Sequence, residues 1–144
     1  MTARLRVIEV SKKYLGTPYR YNGISALGID CSGLIYLSFN EALGVSLPRS
    51  SSGLYTWTVR TTIERAQPGD LLFFRTGASI SITHVGLYLG NRLFIHTASS
   101  GSNTGVIYSS LDESYWARAY AGAGRAFPEV PAELYTELFN EAYY

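Results

Sequence analysis

The sequence predicts an α+β domain in which a helical layer packs against one face of an antiparallel sheet. Two helical patterns come first, and short runs rich in β-branched and aromatic residues follow from Glu64 onward. Helical patterns do not alternate with strand patterns, so a parallel sheet built of β-α-β units is not expected. The chain has 144 residues, which fits a single domain with one core.

Two helices are predicted before the strand region. The first covers residues 3–15, where mostly apolar residues recur at steps of three and four positions, and it ends at Gly16. The second runs from about Ser32 to Leu43, because apolar side chains cover more than half of its circumference, and Gly44 is placed to cap its end. The segment between the helices is rich in Gly and turn-forming residues and is expected to be an irregular loop.

Four strand patterns follow the helices, within an antiparallel sheet of about five to six strands. Each run is short, rich in β-branched or aromatic residues, and separated from the next by Gly, Asn or Ser. The runs are GDLLFFR, HVGLYLG, RLFIHTA and TGVIYSSL. These runs are expected to be successive strands of the sheet.

The composition changes again near the C-terminus. Residues 129–144 are predicted to form an acidic tail, separate from a domain that covers residues 1–128. The tail carries Glu133, Glu137 and Glu141 on one face of a short helical pattern, with leucines on a neighbouring face. A solvated terminal helix that packs its leucines is the favoured interpretation, and a lid or a partner-docking segment is the alternative.

Charge and composition exclude several classes of protein. Hydrophobic residues make up 47% of the chain and charged residues 16%, which is typical of a folded protein. The net charge is +1 and no run of Lys or Arg occurs, so nucleic acid is not expected as a partner. Charged residues interrupt the apolar positions of the N-terminus, so neither a signal peptide nor a membrane span is expected there. If the protein is exported, a signal has been removed or the route is unconventional.

One cysteine and two histidines are the whole set of soft nucleophiles and near-neutral bases. Cys31 together with His84 and His96 fits a cysteine nucleophile, because the thiolate is the reactive species and an imidazole helps to form it. Cys31 opens the second predicted helix, whose unpaired N–H groups are expected to lower the pKa of the thiol. A buried apolar filler is the alternative, and the polar neighbours in the run DCSG argue against it.

The spacing of the two histidines predicts that they meet. They lie twelve positions apart, and a strand, a tight turn at Gly90–Asn91 and a returning strand would place them near one end of a hairpin. One imidazole can then orient the other, with Cys31 as nucleophile, His84 as base and His96 as the orienting residue. Two ordinary strand histidines satisfied by neighbours are the alternative. Zinc is a competing use of these residues, but close ligand pairs such as C-x-x-C are absent from the sequence, so no metal is expected.

Six motifs stand in a fixed order between about Tyr14 and Phe127. They are YLGTPYRYNG, GIDCSGLIY, LPRSS, QPGDLLFF, HVGLYLGN and FIHTAS. Together they resemble the NlpC family of bacterial cell-wall cysteine peptidases. The resemblance implies a papain-like α+β fold with the nucleophile at the start of a helix packed on the sheet. It also implies hydrolysis of amide bonds in peptidoglycan stem peptides, chiefly between γ-linked D-glutamate and meso-diaminopimelate, without a cofactor.

The resemblance also assigns catalytic roles. The family nucleophile falls on Cys31, the base on His84 and the third polar residue on His96. A family tyrosine falls on Tyr19, whose hydroxyl would help the backbone N–H of Cys31 to stabilise the tetrahedral oxyanion.

Four further positions match residues that shape the substrate groove of the family, and they are carried over as candidate binding residues. They are Asp30, Ser32, Arg49 and Ser50. Their structural alternatives are an N-terminal helix charge for Asp30, a helix cap for Ser32, and turn residues for the other two. Asp70, in the run PGDLLFF, is interpreted as a residue of a turn or of the start of a strand rather than a catalytic one.

These assignments predict a monomer of the cell envelope, periplasmic or secreted, whose partner is the peptidoglycan stem peptide. Two other functions stay open on the same fold. One is acyl transfer through a thioester, in which an amine or a lipid alcohol replaces water. The other is a wall-binding module without turnover, against which the intact set of Cys31, His84, His96 and Tyr19 argues.

Overall fold

The computed structural model describes residues 1–127 of the chain. The helices are α1 (Ala3–Lys13), α2 (Cys31–Leu43), α3 (Ser51–Trp57) and α4 (Ser114–Ala119), and the strands are β1 (Ile24–Ser25), β2 (Gly28–Ile29), β3 (Val59–Thr61), β4 (Leu71–Phe74), β5 (His84–Gly90), β6 (Leu93–Ala98), β7 (Gly105–Ser110) and β8 (Tyr120–Arg125). The tail predicted over residues 129–144 lies outside the described residues. No helix within residues 1–127 is long and apolar enough to cross a membrane.

The two predicted helices are confirmed. Helix α1 begins after Thr2, whose hydroxyl accepts a hydrogen bond from the backbone N–H of Leu5, and it ends two residues before the predicted boundary. Helix α2 begins at Cys31, one residue before the predicted start. It ends with Gly44 in the left-handed conformation (φ 71°), which glycine adopts without a steric cost.

The predicted fold class is confirmed, because helices accompany a six-stranded antiparallel sheet. The strand order is β3-β8-β4-β5-β6-β7. The four predicted runs form β4 to β7, which lie side by side in chain order. Strands β3 and β8 were not predicted from the sequence, and β8 returns from the end of the domain to pair with both β3 and β4.

The sheet buries apolar side chains on both faces. On one face, α2 packs against β5 and β6 and α1 packs against α2, with Ile8, Leu34, Val85 and Ile95 in a shared core. The other face carries a smaller, aromatic-rich cluster from the strands, against which Trp116 of α4 packs. Period-two alternation along β5 and β6 therefore sends neighbouring residues into two different environments.

Asp70 holds the start of β4 to the N-terminal helix. Its carboxylate is fully buried, accepts from Arg4 Nη1 at 3.0 Å and from the Gln67 N–H at 2.8 Å, and lies 3.2 Å from Arg125 Nη2. Both arginine side chains are also largely buried, at 3% and 13% exposure. The expected role of Asp70 at the start of a strand is thereby confirmed, and the carboxylate provides the negative charge that two buried guanidinium groups share.

Replacing Asp70 with Asn is expected to destabilise the protein by about 3–5 kcal/mol, because it removes the carboxylate from two buried cations. Urea unfolding followed by circular dichroism measures the change. The matched control is Asp112→Asn, whose ion pair with Arg92 is exposed and should contribute less than about 1 kcal/mol. Equal losses in the two variants would contradict the role given to the buried network.

Candidate active site

Cys31 is the first residue of α2 and lies beside the start of β5. Its sulfur is 4.0 Å from the carbonyl oxygen of Thr83, and the backbone N–H of Val85 also points toward it. The side chain is partly exposed. The thiol therefore sits where the N-terminus of a helix meets the end of a strand, with access to solvent.

Asp30 fixes the N-terminus of α2. Its Oδ1 accepts a hydrogen bond from the Gly33 N–H at 2.7 Å. Arg49 donates two more, from Nη1 to Oδ1 at 2.9 Å and from Nη2 to Oδ2 at 3.1 Å. Ser32 also binds Arg49: its hydroxyl donates a hydrogen bond to the Arg49 carbonyl at 2.7 Å and accepts one from Arg49 Nη1 at 2.8 Å. The residues on either side of Cys31 are thus tied to the same arginine.

Burial raises the pKa of the Cys31 thiol above its usual range. The Val85 N–H opposes this rise by favouring the thiolate, whereas the Asp30 carboxylate adds to it. The backbone N–H groups of Cys31 and Ser32 at the helix N-terminus lower the pKa of this thiol, as expected, but burial raises it by more, so the net shift is upward. Burial and a neighbouring negative charge outweigh the backbone N–H groups.

The predicted histidine hairpin is confirmed. Strands β5 and β6 pair through a turn in which Gly90, Asn91 and Arg92 all have positive φ angles. His84 Nε2 lies 2.8 Å from His96 Nδ1, a hydrogen bond between two buried rings. The bond occupies Nε2 of His84 and leaves Nδ1 as the nitrogen available for a thiol or a substrate.

Gly86 makes room for this contact. It follows His84 on the same face of β5, and a Cβ atom there would lie 2.8 Å from Phe94 Cδ2 and 3.3 Å from His96 Cβ. A side chain at this position would therefore push against the residues that bring the His96 ring toward His84. The Gly in the run HVG is a signal in the sequence that could have indicated the close approach.

Two residues that contact the histidines were not predicted from the sequence. Trp116 stacks on the His84 ring, with centroids 5.1 Å apart and planes 26° apart, and it meets the His96 ring edge to face at 4.8 Å. Ser109 places its hydroxyl oxygen 2.8 Å from His96 Nε2. Neither residue belongs to a short motif, and only the folded sheet and α4 bring them to the site.

Burial sets the protonation of the histidines. It lowers the pKa of His84 to about 4, and it lowers the pKa of His96 well below the usual value, with the neighbouring His84 adding to the effect. Both rings are therefore neutral near pH 7. With the raised pKa of Cys31, the resting site holds a neutral thiol and a neutral imidazole, not a preformed ion pair.

An open cleft of about 570 Å³ joins these groups. Among the predicted site residues, those in its lining are Tyr19, Asp30, Cys31 and His84. His96 is buried behind His84, while Ser32 and Arg49 form the clamp around Asp30. Ser50 caps α3 by accepting from the Gly53 N–H at 3.0 Å. Substrate contact by Asp30, Ser32, Arg49 and Ser50 therefore stays a prediction.

Tyr19 is suited to be a hydrogen-bond donor in the cleft. Its side chain is 38% exposed, and its backbone forms a bridge with Ile29, next to Asp30. Burial, followed by the charge of Asp30, raises the pKa of its phenol, so the hydroxyl keeps its proton near neutral pH. Among residues 1–127, no group of three or more His, Cys, Asp or Glu side chains is arranged to hold a metal ion.

Comparison with known proteins identifies relatives over most of the chain. A family model described as the NlpC/P60 family matches residues 16–125. A probable endopeptidase of Haemophilus influenzae is 37% identical over 112 residues, which cover 78% of this chain and 68% of that protein. The murein DD-endopeptidase MepH of Escherichia coli is 40% identical over 114 residues, covering 77% of this chain and 41% of that protein.

Solved structures show the same fold. An NlpC/P60 family protein from Bacillus cereus has a TM-score of 0.78 and 32% identity, and the match covers 88% of this chain and 41% of that one. RipD from Mycobacterium tuberculosis has a TM-score of 0.69 at 22% identity, over 88% of this chain and 99% of that one. RipD is described as a non-catalytic NlpC/p60 domain protein adapted to peptidoglycan binding.

Replacing Trp116 with Ala is expected to raise the pKa of His84 from about 4 toward the ordinary 6.5, because burial is what lowers it and Trp116 covers the ring. An NMR titration of the histidine ring carbons measures the pKa. Tyr115→Ala is the matched control, since Tyr115 lines the same cleft and packs on Trp116 rather than on His84. An unchanged pKa in Trp116→Ala would show that the sheet alone keeps water from the ring.

Proposed function

The chain belongs to the NlpC/P60 family, and on that basis we propose that it is a cysteine endopeptidase that hydrolyses peptidoglycan stem peptides. The observation that carries the proposal is that Cys31 and His84 line the same cleft, and that His84 is hydrogen-bonded through Nε2 to the buried His96. This arrangement leaves the other nitrogen of the base free. The relatives named as endopeptidases support the same reaction class.

The first chemical step forms a thioester. His84 Nδ1 takes the proton of the Cys31 thiol while the sulfur attacks the carbonyl carbon of the scissile amide. The tetrahedral intermediate then breaks its C–N bond, and the proton on His84 goes to the departing amine. In the second step His84 takes a proton from water, whose oxygen attacks the thioester. The C–S bond breaks, and the thiol regains its proton from His84 as the new carboxylic acid leaves.

Two donors are suited to the negative oxygen of the tetrahedral intermediate. One is the backbone N–H of Cys31, which the first turn of α2 leaves without an intrahelical partner. The other is the Tyr19 hydroxyl, which lines the cleft and stays protonated because its pKa is raised. A donor that is already in position needs little reorganisation when charge develops.

The scissile bond that we propose joins γ-linked D-glutamate to meso-diaminopimelate in the stem peptide. A second candidate is the DD crosslink between two stems, because relatives 37% and 40% identical to this chain are proteins named murein DD-endopeptidases. The chain spans between 41% and 70% of the length of the first four curated relatives, so the substrate of each relative does not transfer directly.

Two other functions predict different products. Acyl transfer would give the thioester's acyl group to an added amine or alcohol, so the product mass would change when such an acceptor is present. A wall-binding module, as RipD is described, would bind fragments and leave them intact. The presence of Cys31, His84 and Tyr19 around one cleft favours turnover over binding alone. A cell-envelope location, a monomeric state and the absence of a nucleic-acid partner belong to the same proposal.

Wild-type protein is expected to cleave purified peptidoglycan fragments, and Cys31→Ala is expected to cleave none, because the only thiol of the chain is the nucleophile. Mass spectrometry of uncrosslinked and crosslinked fragments identifies the bond. New products ending in D-glutamate support the proposed bond, whereas separation of crosslinked dimers alone supports the DD crosslink. Cleavage by Cys31→Ala at the wild-type rate would contradict the mechanism.

Replacing the two histidines separates their roles. His84→Ala is expected to lower kcat/KM by about 10²–10⁴-fold, because it removes the group that transfers the proton. His96→Ala is expected to lower it less, since His96 only orients His84 through one hydrogen bond. Steady-state kinetics on a defined stem peptide measure both values. Equal losses would mean that the two roles are misassigned or inseparable.

A further inference from the structure

We propose that Ser109 is a positioning residue of this site, whose hydroxyl accepts the last hydrogen bond of a chain that begins at His84 and stabilises the protonated form of that base. The proposal rests on the proposed role of His84 as the base. Two short contacts carry it. Ser109 Oγ lies 2.8 Å from His96 Nε2, and His96 Nδ1 lies 2.8 Å from His84 Nε2.

The sheet places Ser109 at this position. In the pairing of β6 with β7, Phe94 lies opposite Ser109 and His96 lies opposite Ile107. Residues opposite one another, and residues two apart on one strand, point to the same face, so Ser109 and His96 are diagonal neighbours. Ser109 is 5% exposed and His96 is fully buried, so water does not readily replace the hydroxyl as a partner.

Counting protons defines what Ser109 must do. When His84 takes the proton from the thiol, both of its ring nitrogens carry hydrogen, and its Nε2–H must donate to His96 Nδ1. A neutral His96 then carries its own proton on Nε2. That N–H points at Ser109 Oγ, so the hydroxyl must accept. The same chain holds before the transfer, because a His84 whose Nδ1 is free to take the thiol proton carries its hydrogen on Nε2, so Ser109 accepts the last hydrogen bond in both states.

The acceptor matters because the rings are buried. A buried N–H without a partner keeps the full cost of its desolvation, and hydrogen bonds in a chain polarise one another, so the charge on His84 strengthens the bond from His96 to Ser109. The ionisable groups in the cleft lining around the rings are Asp30 and Cys31 at the start of α2, Glu113 before α4, and Tyr19, Tyr21, Tyr108 and Tyr115. None of these side chains is hydrogen-bonded to His96 in the described part of the chain, so the neutral hydroxyl of Ser109 is the direct partner of its Nε2.

The inference is tested with two nearly isosteric substitutions, Ser109→Thr and Ser109→Val. Both add similar volume to the same strand position, and only Thr keeps the hydroxyl. Because Cys31 is the only cysteine, its alkylation by iodoacetamide at pH 7 reports how readily His84 takes the thiol proton, without any peptidoglycan. Val is expected to slow alkylation about tenfold, the equivalent of one net hydrogen bond, and Thr is expected to stay within about twofold of wild type.

Two further measurements complete the test. Kinetics on a stem peptide are expected to show a similar fall in kcat for Val with little change in KM. Nitrogen-15 NMR of the wild-type protein is expected to place a proton on Nε2 of His96. Equal alkylation of Val and wild type, equal slowing of Thr and Val, or a bare Nε2 on His96 would each overturn the proposal.

The controls keep the outcome interpretable. Circular dichroism checks that each variant folds, and if Val does not fold, Ser109→Ala takes its place with the same expected slowing. A wild-type protein that alkylates readily but leaves every peptidoglycan fragment intact would count against the proposed function alone. The comparison of Thr with Val would still decide the role of Ser109, because it uses no substrate.

Discussion

The carboxylate of Asp30 is the constraint on which the position of Cys31 depends. It caps α2 through the Gly33 N–H and binds both terminal nitrogens of Arg49, which itself contacts Ser32. These contacts join the loop before α2, the first turn of the helix and the segment before α3. A bidentate ion pair restricts direction as well as distance, so Cys31 is held in orientation from both sides. The same charge adds to the rise in the pKa of the thiol, so positioning opposes thiolate formation.

The resting site is therefore built from neutral groups, and under the proposed mechanism its reactivity depends on how well a protonated His84 is stabilised. The folded protein disfavours charge on His84, whose pKa falls from 6.5 to about 4. As pH falls below 6.5, the unfolded chain takes up this proton before the folded one does, so the stability contributed by the neutral ring is lost between about pH 6.5 and 4. Under the proposed mechanism, in which His84 takes the thiol proton, each contact that favours the imidazolium raises the population of reactive thiolate.

Local patterns in the sequence predict α1, α2, four strands and the histidine hairpin, because each depends on residues close together in the chain, whereas the short helices α3 and α4 were not predicted. The pairing of β8 with β4, such as Leu71 with Gly124, joins segments about fifty residues apart, and the run YAGAGR lacks the usual apolar alternation. The glycine at position 124 is explained only by the folded structure, since a Cβ atom there would collide with Thr58. Ser109 is likewise an ordinary serine until β7 pairs with β6.

The start of β5 explains how Cys31 and His84, whose side chains belong to different faces of the sheet, reach the same cleft. Strand β5 pairs with β6 only from Leu87, which lies opposite Ile95, up to the turn. The first residues of β5 therefore have no partner on β6. There the Thr83 carbonyl and the Val85 N–H face the Cys31 sulfur instead of a strand. The side chain of His84, between them, alternates to the aromatic face, where His96 and Trp116 enclose it. The first residues of β5, which are not paired with β6, thus place backbone groups beside the Cys31 thiol and the His84 ring on the other face. The pairing of the rest of β5 with its neighbouring strands keeps these groups in position.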